Sequence, residues 1–245
     1  INKTSKKILI YPVAPLFLEA IMQTYQLDTP ALLNQAMQRI MRKKEIKTAL
    51  NKNAITREQT LQCLKQAYRC LNELCKPVAV VLPISANLFS LDNHFVLLAG
   101  ETRIKSVRMS RHLSCNAAQA YLYLFSCGYD SREAFCWLQQ DYSAYHFQDM
   151  LSNELLFAIG RQLHRGIKQL NPNKNCYRYP IQTDQQSNEI ANVTWDAEKT
   201  RSLLKLFNAY DLGITCNPKG CFTPLHSILG VMMTTPKGPA LKKAC

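Results

Sequence analysis

Residues 141–170 read DYSAYHFQDMLSNELLFAIGRQLHRGIKQL. Phe147, Leu151, Leu155, Ile159, Leu163 and Ile167 recur at every fourth position and draw one apolar ridge along a helix. Asn171-Pro172-Asn173 ends it, because proline cannot continue the helical ladder. Upstream, Ala120–Phe125 reads as a strand closed by Gly128, Val78–Ile84 as a buried strand and Phe95–Leu98 as another. Downstream, Ile214–Met233 mixes Pro, Gly and apolar residues in the manner of strands and turns. The ridge predicts one α+β unit in which the long helix packs on a mainly antiparallel sheet.

Further helices are expected around this frame. Residues Pro15–Gln26 and Pro30–Met41 carry helical patterns, the second with Thr29 as its cap and Pro30 at the first position. Asn51-Lys52-Asn53 reads as a loop. Thr56-x-x-Gln59 reads as a capping box that opens a helix through Leu61, Leu64, Tyr68, Leu71 and Cys75, stopped by Pro77. Val107–Leu113 is a short helix, Ser131 caps another, and Thr194 caps one through Leu203, Leu204 and Phe207. Gln182–Asn192 is a polar, mobile loop. The expected organisation is a helical annex, residues 1–40, followed by a main domain, residues 41–245.

The chain has 245 residues with 47% hydrophobic and 19% charged content, enough to build a sizeable core. Its longest apolar runs, Val78–Ile84 and Ala117–Phe125, have the length of core strands and fall short of the ~20 residues of a membrane helix. The basic-then-apolar start is broken by Pro12 and Pro15, and the expectation is a mature N-terminus rather than a signal peptide. Ten cysteines occur without a C-x-x-C pair, and Cys63, Cys70, Cys75, Cys127 and Cys136 lie in apolar stretches. They are expected as buried free thiols in a reducing cytoplasm. The net charge of +13 favours anionic partners. The basic residues are spread along the chain, densest at Arg42-Lys43-Lys44, and no recognised nucleic-acid module occurs. An acidic protein surface or a phosphate-bearing ligand suits the charge equally.

Catalytic signals are sparse. G-x-S-x-G, P-loop and G-x-G-x-x-G motifs are all absent. His94, His112, His146, His164 and His226 form no helical pair, and Cys216, Cys221 and His226 match no common zinc spacing, so no metal is expected. Two segments stand out. Cys176-Tyr177-Arg178-Tyr179-Pro180 offers a guanidinium fork for a carboxylate and rings that can stack. Gly213-Ile214-Thr215-Cys216, followed by Phe222 to Gly230, suggests backbone held close to a ligand or a strand.

In that order, with a polar loop and a capped helix between them, these segments resemble the activation domain of vitamin B12-dependent methionine synthase, in the form of a free-standing homologue. The resemblance rests on Arg178 and Pro180, Trp195 to Phe207, Gly213, and Pro224, Ser227 and Gly230. Glu45-Ile46 with Ala49-Leu50, Ser126-Cys127-Gly128 and the helix ending Leu163-His164 agree with it, over roughly residues 41–238. It implies a curved α+β fold on a twisted, mainly antiparallel sheet that binds S-adenosylmethionine. Such a domain docks on a corrinoid-binding protein or methyltransferase and supports reductive methylation of its cob(II)alamin, with a flavodoxin-like reductant as electron source. The ligand contacts implied are Arg178, Tyr177, Tyr179, Pro180, Gly213, Pro224, Ser227, Gly230 and Glu154. The chain departs from the pattern at three places: Ile181, Gln182 and Thr183 replace the Gly-Tyr after the proline, Phe157 stands where the long helix has an acid, and Val231 or Met232 replaces an aromatic. Two other readings stand beside this one: a corrinoid-protein docking module without nucleotide binding, and a basic nucleic-acid-binding protein.

Overall fold

The structure is a computed structural model that describes residues 22–90, 95–114, 119–180, 193–194, 197–207 and 211–237. Its centre is a five-stranded antiparallel sheet in the order β1-β2-β6-β11-β7. These strands are β1 (Gln23–Thr24), β2 (Val78–Ile84), β6 (Gln119–Ser126), β7 (Lys174–Pro180) and β11 (Ser227–Pro236). Both faces of the sheet are covered, so β6 is buried from Ala120 to Ser126 and shows no apolar–polar alternation. The pleat still sorts its side chains. Tyr121, Tyr123 and Phe125 face a helical layer, whereas Ala120, Leu122 and Leu124 face the other side.

The helical layer comprises α1 (Thr29–Ile40), α2 (Lys44–Lys52), α3 (Ala54–Leu74), α5 (Ser131–Trp137) and α6 (Tyr142–Leu170). The ridge expected on α6 is buried: Leu151, Leu155, Ile159 and Ile167 are fully covered and Leu163 nearly so. The opposite layer is a four-stranded sheet in the order β3-β4-β5-β8, with α4 (Val107–Ser114) and α7 (Ala197–Lys205). Its strands are β3 (Ala86–Ser90), β4 (Phe95–Leu98), β5 (Thr102–Ser106) and β8 (Val193–Thr194). A two-stranded ribbon, β9 (Thr215–Cys216) with β10 (Phe222–Thr223), precedes β11.

Several boundaries differ from expectation. Residues 22–26 of the helix expected over 15–26 hold β1, which pairs Gln23 with Val81 and Thr24 with Val80 on the open edge of β2. Residues 1–21 and the polar segment 182–192 lie outside the described residues. Caps sit upstream of the hydroxyl residues expected to form them. Asp28, not Thr29, accepts from Ala31 N at 3.0 Å, and Asn53, not Thr56, accepts from Thr56 N at 2.8 Å. Asp130, not Ser131, accepts from Arg132 N and Glu133 N. An Asp or Asn oxygen ahead of the first turn has satisfied the free N–H groups in each case. Helix α2 runs through Asn51 and Lys52, so the expected loop shrinks to Asn53. Thr194 is a strand residue paired with Lys105, ahead of α7. The boundary expected at residue 40 falls in the turn after α1, and Leu32, Leu33, Ala36 and Ile40 of α1 share one buried cluster with α6.

The eight described cysteines are free. Cys70, Cys75 and Cys127 are buried, and burial pushes the Cys70 and Cys75 thiols up to about 12. Cys136, expected in the core, is exposed, because it lies on the outer face of α5 while Ala134 faces inward. No helix among the described residues is long and apolar enough to cross a membrane.

Candidate ligand site on the α6 face of the sheet

Arg178 lies on the edge strand β7, opposite Met232 of β11. Alternation along β7 sends its side chain to the helical side, where the guanidinium lies against Gly160 of α6. A Cβ at Gly160 would overlap Arg178 Nη1 and press on Phe125. Only a residue without a side chain lets an exposed arginine fold down onto the helix there. Two buried polar atoms in this neighbourhood have no hydrogen-bond partner, Tyr123 Oη and Arg161 Nη2. The charge of Arg178 bears on both: it opposes the rise that burial imposes on the Tyr123 hydroxyl, and it adds to burial and Arg39 in lowering the Arg161 pKa. Buried polar atoms without partners are rare in folded proteins, which makes this spot chemically unsatisfied. His164, one turn beyond Gly160, approaches Cys176 of β7, with Nδ1 at 3.8 Å from Sγ.

The two tyrosines flanking Arg178 point the other way. Tyr177 stacks on His112 of α4 with ring centroids 4.1 Å apart, and the Tyr179 hydroxyl contacts His112 Nδ1. A ligand held by Arg178 on the helical side therefore meets neither ring, since neighbouring strand residues face opposite sides of the sheet. Pro180 pairs with Gly230 across β7 and β11. Gly230 faces Tyr123, and a Cβ there would overlap the Tyr123 hydroxyl and the Tyr179 carbonyl. Its absence of a side chain serves packing between strands.

Gly213 and Pro224 come together elsewhere, in a cleft of about 540 Å³ that Ser126 and Tyr129 also line. Ser227 supports the cleft from behind, donating to the Pro224 carbonyl at 2.7 Å and meeting Ser126 Oγ at 2.8 Å. Along β11, Ser227 is five residues from the partner of Arg178, ~17 Å at strand rise. The cleft and the Arg178 site are separate places. Behind the cleft runs a hydrogen-bonded chain that leads from the partly exposed Asp149 to buried residues. His226 Nε2 lies 3.0 Å from Asp149 Oδ1, its Nδ1 lies 2.7 Å from Tyr129 Oη, and Tyr129 Oη lies 2.8 Å from Ser152 Oγ. A carboxylate only accepts, so Nε2 carries the proton and Nδ1 accepts from the Tyr129 hydroxyl. His226 is thereby occupied on both nitrogens. Among the described residues no group of three or more His, Cys, Asp or Glu converges for a metal.

Glu154 is buried on α6 and held by Lys43 at 3.1 Å. Phe157, one turn on, is 49% exposed. Reading the sequence missed Arg161, Tyr123 and the Asp149–His226–Tyr129 chain. The first sits two residues past the ridge residue Ile159 as one more charged helix position. The others join residues up to 97 apart in sequence, a pairing only the fold makes.

No family model matches the chain, and no curated protein matches it. Among solved structures it is similar to the reactivation domain of MetH bound to AdoHcy, with a TM-score of 0.61 and 13% identity, over 89% of this chain and 79% of that one. At that identity the likeness is one of fold, and the fold shared is the mixed helix and antiparallel-sheet architecture of a reactivation domain.

Proposed function

We propose that the chain is a reactivation-domain-like protein that binds an S-adenosylmethionine-type ligand beside Arg178 and docks on a corrinoid-carrying protein. The observation that carries this reading is the pair of unsatisfied polar atoms on α6 and β6 beside Arg178 of β7, set in a fold shared with a domain bound to AdoHcy. Arg178 is a fork suited to the ligand carboxylate, and Arg161 Nη2 and Tyr123 Oη supply further polar atoms close by. The protein's part is accessory: its residues bind and orient the ligand, and the corrinoid on the partner supplies the methyl-accepting chemistry. A flavodoxin-like reductant would bring the electron. The contribution of Gly213, Pro224 and Ser227 is then to the shape of the molecule near the cleft, away from the anchor.

Titration calorimetry with S-adenosylmethionine and AdoHcy tests this. Binding in the micromolar to millimolar range is expected, weakened at least tenfold in Arg178→Ala, in line with the ~2–5 kcal/mol lost when one partner of a charged pair is removed. Absence of heat from the unmodified protein at millimolar ligand overturns the nucleotide reading. One observation favours the docking module without nucleotide as the second reading. Glu154, the acid nearest the expected ligand amine, is already neutralised by Lys43, and Phe157 offers no charge.

A further inference from the structure

The exposed side of α6 concentrates positive charge around a single aromatic ring. Helical spacing places Arg165 and Lys168, both exposed, on the side of α6 that carries Phe157 and lies opposite the buried ridge, with the half-buried Arg161 and His164 at its margin. Arg165 Nε reaches back to the Arg161 carbonyl at 3.4 Å. Arg178 flanks this surface at Gly160, and on the other side Lys43 closes over Glu154 while Arg39 bears on Arg161. Glu154, the carboxylate that would balance Arg161, is thus already held by Lys43.

The surface continues over the corner between α1 and α2. Arg42, Lys44, Lys47, Thr48, Asn51 and Lys52 line a hollow without a carboxylate. Lys44, Lys47, Thr48 and Asn51 fall at i, i+3, i+4 and i+7, one stripe of α2, while Ile46 is the buried residue of that helix. Helix α2 starts on Lys43 with no side-chain cap. Cations at a helix N-terminus and like charges three and four residues apart both work against the helix. Glu45 in the first turn offsets part of the dipole cost, while the lysine stripe stays without a carboxylate in the hollow and favours contact with an anion.

We infer that the face running from Phe157 to Lys52 docks the acidic surface of a partner protein, with Phe157 as the apolar anchor on a face of arginines and lysines. Aromatic and arginine side chains together are the composition of binding hot spots in protein interfaces. A single-stranded nucleic acid is a poorer match. Its bases need successive stacking platforms, whereas Phe157 is the one exposed aromatic side chain among these cations in the described residues, and Tyr177 is stacked on His112 across the sheet. The inference stands on charge and exposure and holds whether or not a nucleotide binds.

Fluorescence anisotropy with labelled probes tests it. One probe is a 20-residue peptide of Glu and Asp with Leu and Phe at intervals. A second has Ser at the apolar positions, and a third is a single-stranded RNA of equal charge. The first peptide is expected to bind most tightly, with affinity falling as salt rises. Phe157→Ala should weaken it about tenfold without altering the second peptide, and Arg165→Gln with Lys168→Gln should weaken both peptides and flatten the salt dependence. Thermal melting should show all variants folded, since Phe157, Arg165 and Lys168 are exposed, and Lys205→Gln on α7 serves as an unaffected control. Two outcomes overturn the inference: Phe157→Ala binding like the unmodified protein, or RNA binding more tightly than the first peptide. Loss of corrinoid-protein docking with these peptide results intact would count against the proposed function alone.

Discussion

Gly160 has no side chain, and Arg178 occupies the space a methyl group would fill. The obstruction is the mobile end of an arginine together with the edge of the Phe125 ring, not backbone. Gly160→Ala should therefore change stability by less than about 1 kcal/mol, the helical gain of Ala over Gly offsetting the contact with Phe125. The guanidinium must lift off α6, and affinity for an S-adenosylmethionine-type ligand should fall several-fold. Denaturant unfolding and calorimetry on the same variant separate the two effects. A variant that binds as well as the parent would show that the Arg178–Gly160 contact has no bearing on the ligand. The sequence marked Arg178 because an arginine between tyrosines is conspicuous. It could not mark Gly160, one small residue in a long helical run, because what needs the space comes from another element.

At the scale of the element, α6 was legible almost to the residue. A four-residue apolar ridge has one satisfactory outcome in water, burial along its length, and five of its six residues are buried while Phe147 packs at the edge of the core. Leu155→Ala and Leu163→Ala should each cost ~2–5 kcal/mol, read as a lowered urea midpoint. A shift within error at both positions would mean that the helix does not pack as described. Strand β2 was also legible, at Val78–Ile84, because a valine-rich apolar run of strand length after Pro77 leaves little choice. Helix starts were less so. Thr56-x-x-Gln59 has the composition of a capping box, yet the helix starts three residues earlier, Asn53 takes the cap and Thr56 lies inside the first turn with its own N–H satisfied by Asn53. Tyr177, Arg178 and Tyr179 look like one recognition unit along the chain. In a strand they must separate, and the ring contacts go to His112.

For the whole molecule, the described histidines with shifted pKa all move in one direction. His112 is lowered by burial and by Arg108, and His164 by burial, Arg178 and Lys168. His226 is lowered by burial, with Asp149 opposing. A folded-state pKa below the unfolded value of 6.5 means that the unfolded chain binds protons first. Stability is then complete above about 6.5 and declines as the pH falls from there toward the folded pKa values. The urea midpoint should be flat between pH 8 and 7 and lower at pH 5.5, with a shallower decline in His226→Gln. A midpoint that holds or rises on acidification would contradict the burial of these rings. The excess of positive charge acts in the same sense, since protonated histidines add to a chain already at +13.

The sequence by itself determined the α+β class, the long central helix, the strands on either side of it and the bias toward anionic partners. These follow from local period and composition, which any fold of this chain must obey. Tertiary structure alone decided which residues meet. It set Arg178 against Gly160 with Arg161 and Tyr123 unsatisfied beside them, moved Gly213, Pro224 and Ser227 to a separate cleft, and exposed Phe157 among the cations. The reason is geometric. Strand alternation and sheet order place each side chain on a face and at a distance, and neither is written in the spacing of residues that lie far apart along the chain.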